Sequence, residues 1–275
     1  MGSVYVVWLD IANCALLDVS DISMSEVTNE LRVCTYNIHK GFCAANMRPI
    51  LQELRHAIRT VDADLVFLQE VVGKNLYLEE GMDTNGKQAP IYPQFEYMAD
   101  EVWPHHAYGR NAIYQKGDHG NAILSKNPFI DLDNIDISQW WFSQRGLLFG
   151  ELKIGVYVVC IHFGLFRGER KRQLKMLLEL LEEKVSKHAP LIIAGDFNDW
   201  NGALHRELTR LHPFKEAYRE TYHHLAKTFP ARLPLFAMDR IYYRNLGLLD
   251  AEVLSGAPWE RLSDHRALSA IFRLE

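Results

Sequence analysis

Carboxylate, amide and imidazole side chains stand at the ends of short apolar runs throughout this 275-residue chain. The clearest case is Gly195-Asp196-Phe197-Asn198-Asp199, which directly follows the apolar run Leu191-Ile192-Ile193-Ala194. A short apolar run bounded by glycine is typical of a buried strand, so a carboxylate and a carboxamide are expected at a strand's carboxyl end. Open α/β sheets place their chemistry at that edge. Because Asp and Asn are also ordinary turn residues, the string alone leaves a plain turn open.

Six predicted strands begin or end near a group of this kind. Acidic and amide oxygens without cysteine suit Mg²⁺ or Mn²⁺ rather than zinc or copper. Such a site favours phosphoryl chemistry, in which a metal neutralises developing charge and lowers the pKa of bound water. Neither a Walker A motif nor GxSxG occurs, which argues against nucleoside triphosphatases and serine hydrolases. The strand-end groups are Asn37, Glu70, His162, Asp196 with Asn198, Asp239, and Asp264 with His265.

The elements that must position these groups are short strands and two helices. Apolar residues at helical spacing predict one helix from Pro49 to Val61 and a second from about Gly168 to Lys187. Leu147 to Ile161 resembles a hairpin, whereas Gly73 to Gly120 is predicted to be a substrate-side insertion. Strands are predicted at Leu31–Tyr36, Asp64–Gln69, Asn121–Ser125, Leu147–Ile154, Val156–Ile161, Leu191–Ala194, Arg240–Tyr243 and Ala267–Phe272. This mixture indicates an α+β fold with two sheets and helices outside.

Composition sets limits on the class of protein. A content of 48% apolar and 24% charged residues is globular, and one domain is the simpler prediction. A net charge of −5 argues mildly against nucleic acid as an obligatory partner. The four widely spaced cysteines predict buried thiols, a reducing compartment and thus a cytoplasmic location.

Residues 1–30 are treated as an N-terminal extension, and residues 31–275 as the functional domain. The stretch from Val4 to Ala12 is apolar but too short for a transmembrane helix and lacks a basic region for a signal peptide. An extra strand, a leader segment and an over-long start all stay open. We expect a monomer with no transmembrane segment.

The motifs, taken in order, resemble the endonuclease/exonuclease/phosphatase superfamily, which includes deoxyribonuclease I, abasic-site endonucleases, neutral sphingomyelinases and inositol-polyphosphate 5-phosphatases. The similarity is greatest to its bacterial YbhP-like proteins and runs from about Leu31 to the carboxyl terminus. Each motif alone is weak, but the ordered series is specific. The motifs are Thr35–Gly41, Leu68–Val71, Tyr108–Ala112, Gly120–Ser125, Arg145-Gly146, Ile161-His162, Gly195–Trp200, Met238–Ile241 and Ser263–His265.

The resemblance implies a DNase I-like, four-layered α/β-sandwich and a role for each strand-end group. Glu70 would be the principal metal ligand, Asn37 would support metal or phosphate, and Asp264 could bind or tune a metal. Asp196 would accept a proton from the attacking water or orient it, with Asn198 holding water or phosphate. His162 would donate to a phosphate oxygen, and Asp239 would keep His265 protonated.

Other residues are weaker candidates. Arg145 could supply a bidentate phosphate contact and Asn121 could border the pocket, although each is also explained by its local strand. Tyr108, Arg110 and His119 are weaker still. His39 departs from nucleases of the superfamily, which often carry an acidic or amide residue at that position.

The sequence therefore predicts a Mg²⁺- or Mn²⁺-dependent phosphoesterase of bacterial type, most simply a phosphodiesterase that uses water directly. A nuclease and a non-catalytic binding protein with the same fold are the alternatives. The apolar loops Trp140-Trp141-Phe142 and Leu233-Pro234-Leu235-Phe236 could make a peripheral membrane contact, stack on bases or belong to the core. Lipid head groups and nucleic acid are thus the rival substrates.

Overall fold

The computed structural model describes residues 29–43, 50–75, 93–114 and 117–274, together with the backbone of residues 4–6. Within those ranges the chain forms thirteen strands and six α-helices. The strands are β1 Val4–Val6, β2 Glu30–Asn37, β3 Leu65–Asn75, β4 His105–Tyr114, β5 Gly117–Ser125, β6 Phe129–Asp136, β7 Gly146–Leu152, β8 Tyr157–His162, β9 Leu191–Asp196, β10 Lys215–Glu216, β11 Asp239–Arg244, β12 Gly247–Val253 and β13 Leu268–Arg273. The helices are α1 Leu51–Thr60, α2 Gln94–Ala99, α3 Arg167–Lys184, α4 Ala203–Leu211, α5 Ala217–Tyr222 and α6 Trp259–Leu262.

The strands form two mixed sheets. The first has the order β1-β4-β5-β3-β2-β13-β12, and the second has the order β10-β11-β9-β8-β7-β6. Each contains one parallel pair near its centre, β2 with β3 and β8 with β9, while their other pairs are antiparallel. Strand β13 lies between β2 and β12, so the last strand completes the sheet that β2 begins.

Alternation of side chains along the strands builds a four-layered sandwich. In β9, Ile192 and Ala194 face the core between the sheets, whereas Leu191 and Ile193 face α3 and α4. Strands buried on both faces have continuous apolar sequences, which explains the Leu-Ile-Ile-Ala run. Helices α1, α2 and α6 cover the first sheet in the same way. This architecture is the α+β sandwich that the sequence predicts.

The same alternation directs the polar strand ends into the space between the sheets. Asp196 continues the inward series of Ile192 and Ala194, and Asp239 lies opposite Asp196 on β11. His162 pairs with Asp196 on the other side. The three side chains therefore form one row across adjacent strands, directly above the apolar core.

Two local distortions bring further groups to this edge. Glu70 would face outwards by strict alternation, but the β3–β5 register shifts between Leu68 and Val71, and Glu70 has φ +56°. This bulge turns its side chain inwards, a known use of bulges. Gly195 has φ +145°, and a Cβ there would lie 2.0 Å from the carbonyl oxygen of Ile161. Glycine is therefore required for β8 and β9 to pair beside the site.

All eight predicted strands and both helices are confirmed, with bounds shifted by a few residues, as is the β7–β8 hairpin. Pro49 and the loop from Gly81 to Gly86 lie outside the described residues. The prediction of an insertion from Gly73 to Gly120 is wrong for residues 93–120, because α2, β4 and the start of β5 lie there. Strands β4, β6, β10 and β12 and the four short helices were missed.

Three of the four cysteines fall within the described part of the chain. Cys34, Cys43 and Cys160 are buried, as predicted, while Cys14 lies outside it. No helix in the described part of the chain combines the length and apolar character that crossing a membrane requires.

Burial of Glu216 gives the fold a pH dependence that can be measured. Glu216 ends β10, its Oε2 accepts a hydrogen bond from the backbone N–H of Arg219 at 2.8 Å, and burial raises its pKa to about 7. Because the folded pKa exceeds the unfolded value of 4.5, the folded state holds the proton more tightly. The protonated Glu216 carboxyl therefore stabilises the folded state fully below about pH 4.5, and this stabilisation is lost as the pH rises through about 7.

We expect Glu216→Gln to remove this dependence while keeping the hydrogen bond to Arg219. Relative to the variant, wild-type protein should lose about 3 kcal/mol of unfolding free energy between pH 4.5 and 7, and nothing more above it. Denaturant titrations at pH 5, 6, 7 and 8 measure this difference. A constant difference across the series would show that Glu216 is already ionised at pH 5.

Candidate active site

Two carboxylates and one imidazole form the centre of the strand-end cluster. Nδ1 of His265 lies 2.8 Å from Oδ2 of Asp239, and its Nε2 lies 3.8 Å from Oδ2 of Asp196. All three residues are buried, and their polar atoms lie within 4.8 Å of one another. The ring of Phe229 packs against the imidazole at 5.0 Å. A β11 residue, a β9 residue and the segment before β13 thus meet at one point.

The pKa values of this centre favour a charged imidazole. Burial alone would lower the pKa of His265, but the carboxylates of Asp239 and Asp196 outweigh it and raise the pKa to about 10. Burial is also the largest influence on Asp196 and raises its pKa to about 6, against the opposing effect of His265. At neutral pH the charged imidazole of His265 therefore lies against the carboxylate of Asp239, as expected for a buried histidine between carboxylates.

Asn37 links the first sheet to this centre and to Glu70. Its Nδ2 donates to Oε1 of Glu70 at 3.3 Å and to Oδ2 of Asp196 at 3.2 Å. Its Oδ1 accepts the backbone N–H of His39 at 3.1 Å. One amide therefore holds two carboxylates from different sheets close together.

Asp264 lies at the outer side of the same region. Its Oδ1 accepts from the Ser263 hydroxyl at 3.3 Å and is 3.9 Å from Nδ1 of His39. The Ser263 hydroxyl also contacts the carbonyl oxygen of Asn37 at 2.7 Å, which fixes the β13 approach against the end of β2. Asp264 is half-buried, so its carboxylate is accessible.

The donor atoms of this side suit a hard divalent cation. Glu70, Asn37 and Asp264 offer only oxygen ligands, and Oδ1 of Asp239 is buried without a hydrogen-bonding partner among the described residues. Four carboxylates in one region need positive charge, and His265 supplies only one. Asp196, Asp239 and His265 are also close enough to hold an ion. A protonated His265 has no free lone pair, however, and the oxygens of Glu70, Asn37 and Asp264 could hold a divalent cation instead.

The opposite side of the cluster is positively charged. His162 is buried, and its Nε2 lies 3.6 Å from Oδ2 of Asp196. Burial lowers its pKa well below the usual value, and Arg145 and Lys40 lower it further. His119 behaves likewise: burial, Lys40 and Arg145 lower its pKa to about 3. Two neutral imidazoles therefore lie beside two cations, an arrangement that attracts an anion.

The remaining amides hold the loops around the cluster. Nδ2 of Asn198 donates to the carbonyl oxygen of Phe163 at 2.9 Å, and its backbone N–H donates to Oδ1 of Asp196 at the same distance. Nδ2 of Asn121 donates to the carbonyl oxygens of Gly146 at 2.9 Å and of Cys160 at 3.3 Å. Asn121 therefore ties the first sheet to the second, while its buried Oδ1 lacks a partner in the described part of the chain.

Arg145 lies at the mouth of the cluster. Its Nε donates to the carbonyl oxygen of Phe163 at 3.3 Å and its Nη1 donates to that of Gln144 at 2.9 Å. These contacts leave the Nη2 amino group of the guanidinium for another partner.

Tyr108, His119 and Arg110, the weaker candidates from the sequence, differ from one another in their surroundings. The hydroxyl of Tyr108 donates to Asp118 at 2.6 Å and its ring stacks on Phe95 at 4.7 Å, which is a structural role. His119 faces the hydroxyl of Tyr114 at 3.2 Å. Arg110 is half-buried on β4.

An ion pair that the sequence did not indicate lies on the helix-facing side of the second sheet, behind the site. Nη1 of Arg240 donates to Oδ2 of Asp199 at 2.9 Å, and Nη2 donates to the carbonyl oxygen of Asp199 at 2.7 Å. Both side chains are fully buried. Oδ2 of Asp199 also accepts the backbone N–H of His205 at the start of α4. Arg240 follows Asp239 in the chain, so this pair anchors the segment after Asp196 to the strand that carries Asp239.

Lys40 is a further residue that sequence reasoning did not assign to the site. It lies in the one-turn 3₁₀ segment His39–Gly41 with φ +57°, and its carbonyl oxygen accepts from Nε2 of Gln94 at 2.9 Å. The signal was available, because Lys40 belongs to the motif Thr35–Gly41 and directly follows His39.

Comparison with known sequences places most of the chain in one family. Residues 34–265 match the model of the "Endonuclease/Exonuclease/phosphatase family". The uncharacterized protein YbhP of Escherichia coli K12 is 40% identical over 252 residues, which cover 88% of this chain and 96% of YbhP. A UPF0294 protein of Vibrio cholerae is 27% identical over 255 residues, covering 90% of this chain and 80% of that protein.

Solved structures show the same fold at low sequence identity. An endonuclease/exonuclease/phosphatase from Beutenbergia cavernae has a TM-score of 0.69 at 18% identity and covers 89% of this chain and 72% of its own. One from Bacteroides vulgatus has a TM-score of 0.68 at 19% identity, with 90% and 99% covered. Humanized TDP2 of D. rerio has a TM-score of 0.65 at 17% identity, with 89% and 99% covered.

The buried Asp199–Arg240 pair should be strongly coupled. Arg240→Met leaves a buried carboxylate without its cation, so we expect it to lower the free energy of unfolding by about 3–5 kcal/mol. Asp199→Asn combined with Arg240→Met should recover part of that loss, because the stranded charge is gone. Denaturant unfolding of both single variants and the double variant measures the coupling. Strictly additive losses would show that the two side chains do not depend on each other.

Proposed function

This chain belongs to the endonuclease/exonuclease/phosphatase family, whose members are hydrolases acting on phosphate esters, and we propose that it is a divalent-metal-dependent phosphodiesterase. One observation carries the proposal. A region of four carboxylates and a region of two cations with two neutral imidazoles adjoin at a single edge of the sandwich. The first region suits a divalent cation, and the second suits the phosphate group whose ester is cleaved.

We assign the metal-binding role to Glu70, Asn37 and Asp264. Mg²⁺ or Mn²⁺ bound there would supply positive charge that offsets the charge developing on the phosphate. Asn37 contributes in a second way, because its amide keeps Glu70 and Asp196 next to each other. Enzymes of this family generally use divalent metals, which supports the assignment.

Asp196 is assigned to orient the attacking water and accept its proton. Its Oδ1 is held by the backbone N–H of Asn198 and its Oδ2 by Asn37, so the carboxylate has a fixed orientation. Asn198 is itself tied to Phe163 through Nδ2, which leaves its Oδ1 for water. Direct attack by water needs no covalent enzyme intermediate, and the site contains no serine or cysteine nucleophile among the residues assigned.

His265, held by Asp239, is assigned to donate a hydrogen bond from Nε2–H to the phosphate or to the nucleophile. Its Nδ1 is taken by Asp239, so Nε2 is the atom directed at the reacting group. His162, Arg145 and Asn121 are assigned to the phosphate oxygens, and Lys40 joins them. Fixed donors of this kind stabilise charge in the transition state without reorganisation.

Two alternatives involve the same fold. A nuclease would use the same groups, but a net charge of −5 gives little attraction for polyphosphate. A non-catalytic binding protein would not need the complete set of carboxylates, amides and imidazoles that form hydrogen bonds with one another here.

We also propose that the protein is a monomer in the cytoplasm of a bacterium. The buried thiols of Cys34 and Cys160 support the location, because they suit a reducing compartment.

Hydrolysis of bis-p-nitrophenyl phosphate tests the proposal. We expect turnover with Mg²⁺ or Mn²⁺, and loss of at least about 100-fold in Asp196→Asn, which keeps the shape of the side chain and removes its basic oxygen. Glu179→Gln on the exposed face of α3 serves as the control and should retain the wild-type rate. Equal rates for wild type and both Asp196→Asn and Glu70→Ala would overturn the enzyme hypothesis.

Metal binding can be tested without turnover. Mg²⁺ or Mn²⁺ should raise the unfolding temperature of the wild-type protein, because a ligand that binds only the folded state stabilises it. Glu70→Gln should abolish most of this rise, and EDTA should reverse it. The Glu179→Gln control should respond to metal like wild type. An equal rise in Glu70→Gln would show that the ion binds elsewhere.

A further inference from the structure

Two groups of large apolar side chains are exposed at the edge of the molecule that carries the site. Trp141 is 87% exposed and Leu233 is 68% exposed, so the interpretation of these loops as core is wrong. The ring of Phe142 contacts that of Trp140 at 6.1 Å and that of Trp141 at 5.6 Å. Together the two groups are termed the apolar rim: Trp140, Trp141, Phe142, Leu165 and Phe166 on one side, and Trp200, Leu233, Leu235 and Phe236 on the other.

The apolar rim is continuous with the strand ends of the site. Leu165 and Phe166 follow His162 at the end of β8, and Trp200 follows Asp196 at the end of β9. Leu233 to Phe236 precede Asp239, and the tryptophan loop precedes β7 next to Arg145. Phe142 contacts Phe166, and Trp200 contacts Phe236, at ring distances of 6.4 Å in both cases. Each group therefore joins two loops, and these loops flank the strand ends that carry the candidate site.

The composition of the apolar rim indicates the partner. Leu165, Leu233 and Leu235 are more than half exposed, and aliphatic side chains do not stack on nucleic-acid bases. They partition into hydrocarbon, and tryptophan prefers the boundary between lipid and water. An apolar face bordered by cations is the pattern of proteins that lie in a membrane interface.

Cations are placed where lipid phosphates would lie. The guanidinium of Arg172 stands 5.6 Å from the ring of Trp140, and Nε of the same residue donates to Gln139 at 2.8 Å. Arg167 and Lys171 are exposed on the first turns of α3, directly after Phe166, and Arg232 is exposed next to Leu233. Both sides of the apolar rim therefore carry positive charge despite the acidic chain, which complements an anionic bilayer.

We propose that the apolar rim docks onto a phospholipid bilayer containing anionic lipid, and that docking presents a head-group phosphodiester to the site. The second half of this inference rests on the proposed phosphodiesterase function, whereas the first half does not. Insertion of both groups would place the site opening at the level of the head-group phosphates. The substrate would then be hydrolysed without leaving the bilayer.

Binding is tested with the full chain in EDTA, so that catalysis plays no part. Vesicles of phosphatidylcholine with and without one quarter phosphatidylglycerol are sedimented with the wild-type protein, with Trp141→Ser/Leu235→Ser, and with Ile130→Ser/Leu211→Ser. The last variant removes two other apolar side chains that are more than half exposed and lie outside the apolar rim. We expect binding to the mixed vesicles, a loss of at least about tenfold in the rim variant, and no loss in the control.

Hydrolysis separates the two halves of the inference. The rim variant should cleave soluble bis-p-nitrophenyl phosphate at the wild-type rate but lose activity on vesicle phospholipid. Vesicle binding by wild type without hydrolysis of either compound would support docking and overturn the phosphodiesterase. Three results would overturn docking. The wild-type protein would fail to bind vesicles, the rim and control variants would lose vesicle binding equally, or the apolar rim would bind a single-stranded oligonucleotide instead of vesicles.

Discussion

The structure depends on one constraint: charged groups must be buried where two sheets meet without being left uncompensated. The inward-facing positions of the central strands are apolar along most of their length and become Asn37, His162, Asp196 and Asp239 at one edge. Burial of two carboxylates there would be costly. The charged His265 imidazole, the Asn37 amide and the Asn198 backbone N–H compensate part of that charge. The net charge that remains at the site is negative, so the site attracts a cation.

Much of this arrangement could be predicted because it follows from local sequence. Strands β2, β3, β8 and β9 are short apolar runs, and polar residues directly after them must lie at one edge when the strands are parallel and central. Strands β6 and β12 were missed because their exposed polar residues weaken the alternating pattern. β4 was missed because its Gly-Arg-Asn segment resembles a loop in isolation.

The residues that escaped prediction owe their roles to contacts between distant segments. Asp199 belongs to a string that could be a plain turn, and no local pattern shows that Arg240 lies against it, forty-one positions away. Glu70 was predicted as a site residue, but the bulge that turns it inwards depends on pairing with β5. The loops around Trp141 and Leu233 were open to three interpretations because hydrophobicity alone does not distinguish a buried side chain from an exposed one.

The position of β13 between β2 and β12 also determines the stage of folding at which the site can form. His265 reaches Asp239 and Asp196 only when the segment before β13 is held against the end of β2, through pairs such as Leu268 with Thr35. The two strands are separated by most of the chain, and such non-local pairing is slow to form. During synthesis the segment through β13 must therefore leave the ribosome before the cluster can assemble. A chain that ended before His265 would lack the imidazole and also the β13 core residues Leu268, Ala270 and Phe272, so the site and the first sheet are completed together.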